Sequence, residues 1–269
     1  MLAEKNIASS LVIETHDYLL RLAVTETDLI SLYRLRFEVF NLELGVGLTT
    51  SNANQLDRDK FDDVFHHLMI ISKRTGQTIG TYRLQTYTMA CDGFGFYSSQ
   101  LFNLNVIPNT VLHSSVEVGR ACVAKEYRNS RVFFLLWKGI AKYLVWNGKK
   151  NCFGTSCFVN QNLEQAARAY RYFQSSKLVY PNILVYPHSQ YRFEINQILT
   201  DVDNVDIPNI LRAYLRIGAK VCSLPAINRE FKSIDFLTLF SISAMNRRHY
   251  QMFFEKEDNF VPLSASQRQ

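Results

Sequence analysis

The chain has 269 residues, 47% hydrophobic and 20% charged, enough for an ordinary buried core and unlike a disordered chain. Thirty Lys+Arg against 24 Asp+Glu leave +6, a mild excess that permits an acidic partner without requiring one. The apolar run Val132–Trp137 is far too short to cross a bilayer, Met1–Lys5 lacks the basic-then-apolar pattern of a secretory leader, and five cysteines without C-x-x-C or zinc-finger spacing predict reduced thiols in a cytoplasmic protein with no metal site.

In chain order, residues 1–16 carry no strong pattern. The capping box Thr25-x-x-Asp28 predicts a helix to about Leu44, closed by Gly45, with Leu32, Leu35, Val39 and Leu42 as its core seam. A polar loop over 46–56 and the charged run Asp57–Asp63 follow. Strands are predicted over His67–Ser72 and Thr78–Gln85, joined by a turn at 74–77, and Cys91–Gly95 reads as a loop. Ser115–Ala124 is a third strand, Val132–Trp146 a helix, Cys152–Val159 a buried strand and Gln161–Gln174 an Ala-rich helix. Pro181 and Pro187 bound a short strand. Ile207–Ile217 reads as a helix with Pro208 in its first turn and Gly218 at its end. Lys220–Leu224 and Ile234–Phe240 are the last strands, and the final ten residues look frayed. No linker interrupts the pattern, so we expect one α+β domain over 1–269, with a C-terminal extension over 180–250 packed on its core.

Four constellations carry chemistry. Arg36, Phe40 and Glu43 share one helix face, either as a surface Arg–Glu pair or as part of a site. Asp59 and Asp62 sit on one turn and repel unless a cation lies between them. Within Ser115–Ala124, Glu117 is an unusual residue for a buried strand, and Gly119 suggests a bulge that brings Glu117 and Arg120 to one side. That pair reads either as a structural ion pair or as a carboxylate beside an unpaired backbone N–H, which would polarise a carbonyl for acyl transfer. Eight basic residues and one acidic residue lie from Arg120 to Lys150. On a helix, Arg131, Lys138, Lys142 and Lys149 fall within about 40° of one another, a stripe that suits an acidic protein or lipid headgroups, or is simply a solvated face. No aromatic-plus-basic module points to nucleic acid.

The ordered series Arg36…Phe40…Glu43, Asp59-x-x-Asp62, Gly80-Thr-Tyr-Arg83 and Glu117-x-x-Arg120 resembles the acyl-homoserine-lactone synthases and N-acyl amino acid synthases. With Leu136–Ile140, Tyr214–Ala219, Pro225–Phe231 and Ile234–Leu237 added, residues 30 to 240 resemble more closely the ornithine lipid, or hemolysin-like, N-acyltransferases.

The resemblance implies the GNAT fold, an α/β/α sandwich around a mixed, mostly antiparallel sheet, with a V-shaped splay between its strands 4 and 5 for an acyl-pantetheine arm. Ser115–Ala124 followed by Val132–Trp146 would form one side of that V. Coenzyme A-dependent members carry Arg/Gln-x-x-Gly-x-Gly/Ala at this helix start, where backbone N–H groups hold pyrophosphate. Here Arg131 and Phe133 replace the small residues, which favours the phosphopantetheine of acyl carrier protein as acyl donor, with no tightly bound cofactor. Arg128, Arg131, Lys138, Lys142 and Lys149 would then face that acidic partner. Glu117 is expected as general base, Arg120 beside it, and bulge N–H groups near Cys122 as oxyanion donors. Arg36, Arg83 or Arg120 would take the acceptor's carboxylate, and Asp59 and Asp62 a cationic side chain such as ornithine's. The expected activity is long-chain N-acylation of an amino acid, with peripheral contact at the inner face of the membrane. The alternatives are autoinducer synthesis or a non-catalytic acyl-carrier or membrane-surface protein.

Overall fold

The computed structural model describes residues 11–195 and 205–255. Its strands are β1 (Ile13–Glu14), β2 (Tyr18–Leu22), β3 (His66–Ser72), β4 (Thr78–Thr86), β5 (Ser115–Val123), β6 (Asn151–Phe158), β7 (Lys220–Val221), β8 (Ala226–Asn228) and β9 (Ser233–Ser241). They join one sheet in the order β1-β2-β3-β4-β5-β6-β9-β7, with β8 on β9. Every ladder is antiparallel except β5–β6. The C-terminal stretch therefore does more than pack on a finished core, since β9 pairs with β6 along eight positions from Asn151↔Ser241 to Phe158↔Ile234.

The parallel pairing decides where a site can form. It covers only Ser115↔Asn151, Val116↔Cys152 and Glu117↔Phe153, after which the two strands part. At the fork the backbones touch. A Cβ on Gly154 would lie 2.1 Å from the Val118 carbonyl oxygen, so only glycine fits.

Helix α1 (Glu26–Phe37) begins at the expected capping box, where Thr25 Oγ1 accepts from Asp28 N at 3.1 Å and Asp28 Oδ2 accepts from Thr25 N at 3.2 Å. Its continuation, Glu38–Glu43, is a π-helix. The wider turn rotates the residues after Phe37. Leu32, Leu35 and Val39 are buried, whereas Leu42, expected on the same seam, is 69% exposed. Helix α2 (Tyr87–Asp92) and helix α3 (Asn109–His113) lie before β5, and Cys91 ends a helix rather than opening a loop. Helix α4 (Ser130–Trp146) packs on the opposite face of the sheet from α1, over Leu20, Leu68 and Tyr82. Gly139 lets it approach, since a Cβ there would meet Leu68 Cδ2 at 2.6 Å.

Helix α5 (Leu163–Ser175) and helix α6 (Asn209–Arg216) cover β9 through Phe173, Leu211 and Phe236. No strand forms between Pro181 and Pro187, where the chain makes only the isolated bridge Val185↔Ser223 and a further one at Pro187. Proline supplies no N–H to a ladder. The strand expected over 220–224 shortens to β7. Several elements carried no sequence expectation, among them β1, β2, β8, α2 and α3. The frayed end expected over the last ten residues lies outside the described residues.

Candidate active site

Three arginines and three aspartates form a charge network against the inner side of α1. Arg36 has no exposed side-chain surface. Its Nη1 and Nη2 donate to Asp62 Oδ1 and Oδ2 at 2.7 and 2.9 Å, and Nε donates to Asp57 Oδ1 at 2.8 Å. Arg83 Nη1 donates to both oxygens of Asp59, at 2.7 and 2.8 Å, and to Asp62 Oδ1 at 3.1 Å. Arg120 Nη2 donates to Asp57 Oδ2. Burial alone would raise the Asp62 carboxyl, but the charges of Arg36 and Arg83 hold it well below the usual range. His67, with Nε2 3.0 Å from the Asp62 carbonyl oxygen, is pushed down to about 4 by burial, despite the nearby Asp62 charge.

This network corrects two expectations. Asp59 and Asp62 are not open to a cationic acceptor, because arginines of the same chain hold them and Asp62 is buried. Arg36 and Arg83 are likewise enclosed: Arg36 spends its donors on carboxylates, and Arg83 lies over the rings of Phe65 and Tyr97 at 4.8 and 4.7 Å. Asp57, which bridges Arg36 and Arg120, was not singled out from the sequence. Its only signal was that three arginines in one series call for three carboxylates.

The bulge is present and displaced. Thr81 pairs with Cys122 and Arg83 with Gly119, so Arg120 and Ala121 together oppose Tyr82. Arg120 has the left-handed φ of +49°, not Gly119. Such a backbone costs energy for an arginine. It is held by Asp57 and by two rings, Phe40 at 4.4 Å and Phe231 at 4.9 Å from the guanidinium carbon. Cys122 is back in register and buried against Leu35 and Val39, and burial pushes its thiol up to about 12. The interruption of the ladder therefore falls at Arg120 and Ala121 rather than at Cys122.

Glu117 does not reach Arg120. Its Oε2 accepts from Gln85 Nε2 at 3.0 Å and Tyr97 N at 2.8 Å, and Oε1 accepts from Ser98 N at 2.6 Å. Burial raises its pKa, and those donors partly offset the rise. The carboxylate ties the 96–98 loop to β5 and is not on the wall of the cavity described next. Glu43 parts from Arg36 because of the π-turn and forms a two-pronged pair with Arg128, both contacts at 2.6 Å. One candidate for the substrate and one for the carrier protein thus hold each other.

A cavity of about 150 Å³ opens where β5 and β6 part. One end belongs to the core under α4, with Tyr82, Trp137, Tyr214 and Phe240 on its wall. The other end is polar, with Tyr97, Arg120, Asn228, Ser233 and Asp235, and with Phe40 and Phe231 bracketing the arginine. Of the arginines in the network, Arg120 alone borders this space, and its Nε is buried with no hydrogen-bond partner among the described residues. Asp235 was missed as a site residue. It is 4% exposed, accepts from Asn228 Nδ2 at 2.8 Å, and is pushed up to about 6 by burial, which its hydrogen bonds to Asn228 and Ser233 only partly offset.

The basic stripe is shorter than expected. Arg131, Lys138 and Lys142 lie on α4, but the helix ends at Trp146 and Lys149 follows a turn at Gly148, φ +64°. Lys149 Nζ donates to the His113 carbonyl at 2.7 Å and Lys142 Nζ to the Val12 carbonyl at 3.2 Å. At the start of α4, Asn129 Oδ1 accepts from Arg131 N and Val132 N, both at 3.0 Å. Among the described residues no helix is long and apolar enough to cross a membrane.

Residues 35–138 match the family model of the acetyltransferase (GNAT) domain. The chain is 25% identical to an L-ornithine N(alpha)-acyltransferase of Rhodobacter capsulatus, over 88% of this chain and 94% of the relative. It is 27% identical to the protein of that name from Brucella abortus, over 90% of each. Among solved structures, the AHL synthase LasI superposes with a TM-score of 0.50 at 11% identity, covering 88% of this chain and 95% of that one, a likeness of fold.

Proposed function

Starting from a chain that is an acyltransferase of the GNAT fold, we propose that it moves a long-chain fatty acyl group from acyl carrier protein to the α-amine of ornithine or a similar amino acid. The observation that carries this reading is the cavity at the fork of β5 and β6, apolar at one end and lined by Arg120 at the other. The apolar end suits an acyl-pantetheine thioester. Arg120, fixed by Asp57 and two rings, keeps donors for the acceptor's carboxylate in a charge-assisted contact.

In the reaction the amine nitrogen attacks the thioester carbonyl carbon, the C–S bond breaks, and the pantetheine thiol leaves as the amide forms. Charge builds on the carbonyl oxygen, and the backbone N–H groups of the bulge, at Arg120 and Ala121 on the cavity wall, are suited to receive it. The names of the sequence relatives support ornithine as acceptor. Acyl carrier protein is favoured over coenzyme A because Asn129 already occupies two of the N–H groups at the start of α4, and Arg131 and Phe133 crowd the place a pyrophosphate would take. Arg131, Lys138 and Lys142 then offer an acidic carrier a basic surface.

The test presents matched long-chain thioesters of acyl carrier protein and of coenzyme A to the purified protein with ornithine, lysine, glutamine and S-adenosylmethionine. N-acylornithine formed far faster from the carrier protein is expected. Equal rates from both donors would overturn the donor, and acyl-homoserine lactone as main product would overturn the acceptor.

A further inference from the structure

Among the described residues, Asp235 is the one acidic residue on the cavity wall. It stands in β9 opposite Cys157 of β6, and is the one charged residue of that strand. Asn228 Nδ2 donates to its Oδ2 at 2.8 Å and Ser233 Oγ to its Oδ1 at 3.3 Å, from the turn between β8 and β9. Asn228 is itself placed by the Phe231 N–H, which donates to its Oδ1 at 3.2 Å. The ionisable groups facing Asp235 are Cys157 across the ladder, Tyr97 from the loop tied down by Glu117, and Arg120 from the bulge. Among the described residues no lysine, arginine or histidine forms an ion pair with it.

The contrast with the neighbouring network is informative. Asp57, Asp59 and Asp62 each have an arginine, whereas Asp235, as buried as Asp57 and Asp62, has only neutral donors. A buried carboxylate without a cation is costly, and a cation that enters the cavity relieves the cost. The acceptor of an acyl transfer to nitrogen is such a cation, because a primary amine is mostly protonated at neutral pH.

We propose that Asp235 is the general base of the reaction, receiving the acceptor's reacting ammonium and taking a proton from it so that the free amine attacks the thioester. This rests on the N-acyltransferase reading above and assigns to Asp235 the role expected of Glu117. The acceptor spans the polar end, with its carboxylate on Arg120 and its amine on Asp235. Asp235 first takes one proton from the ammonium and passes it to water, which frees the nitrogen lone pair to attack the thioester carbonyl carbon. The second proton leaves nitrogen after the C–N bond forms and goes to the thiolate as the C–S bond breaks. A carboxyl brought up to about 6 by burial is suited to that task near neutral pH.

The experiment measures kcat/KM for ornithine against pH from 5 to 9, with saturating acyl-carrier-protein donor, for the wild type, Asp235→Asn and Asn228→Ala. The wild type should show an ascending limb near pH 6 before the rise from the acceptor's own amine. Asp235→Asn should lose about 10²-fold or more in kcat, lack the lower limb and keep the donor KM. Asn228→Ala removes a hydrogen bond to the charged form, so its limb should move to higher pH. Wild-type kcat and an unchanged limb in Asp235→Asn overturn the proposal, as does an unmoved limb in Asn228→Ala if Asp235→Asn does not fold. No N-acyl product from the wild type overturns the functional reading and this inference together, whereas equal product from wild type and Asp235→Asn overturns this inference alone.

Discussion

Arg36 and Asp62 meet as two parallel hydrogen bonds, 2.7 and 2.9 Å, with neither side chain exposed to solvent. Removing one partner of such a pair strands the other charge. Asp62→Ala should therefore cost about 3–5 kcal/mol of stability, far more than an exposed ion pair is worth. Urea denaturation measures it, and a loss below about 1 kcal/mol would show that Arg36 finds other compensation.

His67 and Asp235 set opposing pH slopes. The folded pKa of His67 is lowered to about 4, so between 6.5 and 4 the unfolded chain binds more protons and stability falls as pH falls. The folded pKa of Asp235 is raised to about 6, so between 6 and 3.8 the folded chain binds more protons and stability rises as pH falls. From pH 6 to 5 the two contributions oppose each other. His67→Gln should expose the Asp235 slope, with melting temperature rising on acidification, and Asp235→Asn the reverse. At pH 7 and above, Asp235→Asn should melt higher than the wild type, since an ionised buried carboxylate is gone. Identical slopes in both variants would contradict these assignments.

Glu117→Gln tests whether that carboxylate reacts or positions. Gln offers an amide NH₂ where the wild-type carboxylate only accepts, and one of the N–H groups of Tyr97 or Ser98 loses its acceptor. Stability should fall by about 1–3 kcal/mol, and turnover should fall as Tyr97 shifts, while the lower limb of the pH profile stays in place. Loss of that limb with unchanged stability would make Glu117 the base after all.

Reversal of Lys138 and Lys142 to Glu should raise the KM for acyl-carrier-protein donor several-fold at low salt, leave kcat at saturating donor largely intact, and matter less as salt rises. No change at low salt would mean that this face of α4 is merely solvated.

Much of this was legible in local pattern. The capping box at Thr25 and Asp28, the strand Ser115–Val123 and the helix ending at Trp146 lie where short-range rules put them. The resemblance pointed to Arg36, Asp59, Asp62, Arg83, Glu117 and Arg120 as a set, and the structure gathers them around the end of β5. It did not reveal who pairs with whom. Arg–Asp partners are 21 to 63 residues apart in the Arg36–Asp57, Arg36–Asp62 and Arg120–Asp57 pairs, a matter of tertiary packing. The π-turn that exposes Leu42 and sends Glu43 to Arg128 has no signature in helical periodicity. The bulge was expected at Gly119 because glycine adopts positive φ freely, but side-chain contacts hold Arg120 there instead. Asp235 did leave a trace, the one charged residue in the mostly apolar run Ile234–Phe240, and it passed as part of a strand.

The most direct test follows one nitrogen. Ornithine labelled with ¹⁵N at the α position is incubated with the purified protein and a long-chain acyl-carrier-protein thioester, and the product is fragmented in the mass spectrometer. The account predicts an amide whose nitrogen is ¹⁵N, at the α carbon, with release of free carrier thiol in equal amount. Acyl groups on the unlabelled δ nitrogen, on oxygen, or on no acceptor at all would contradict it.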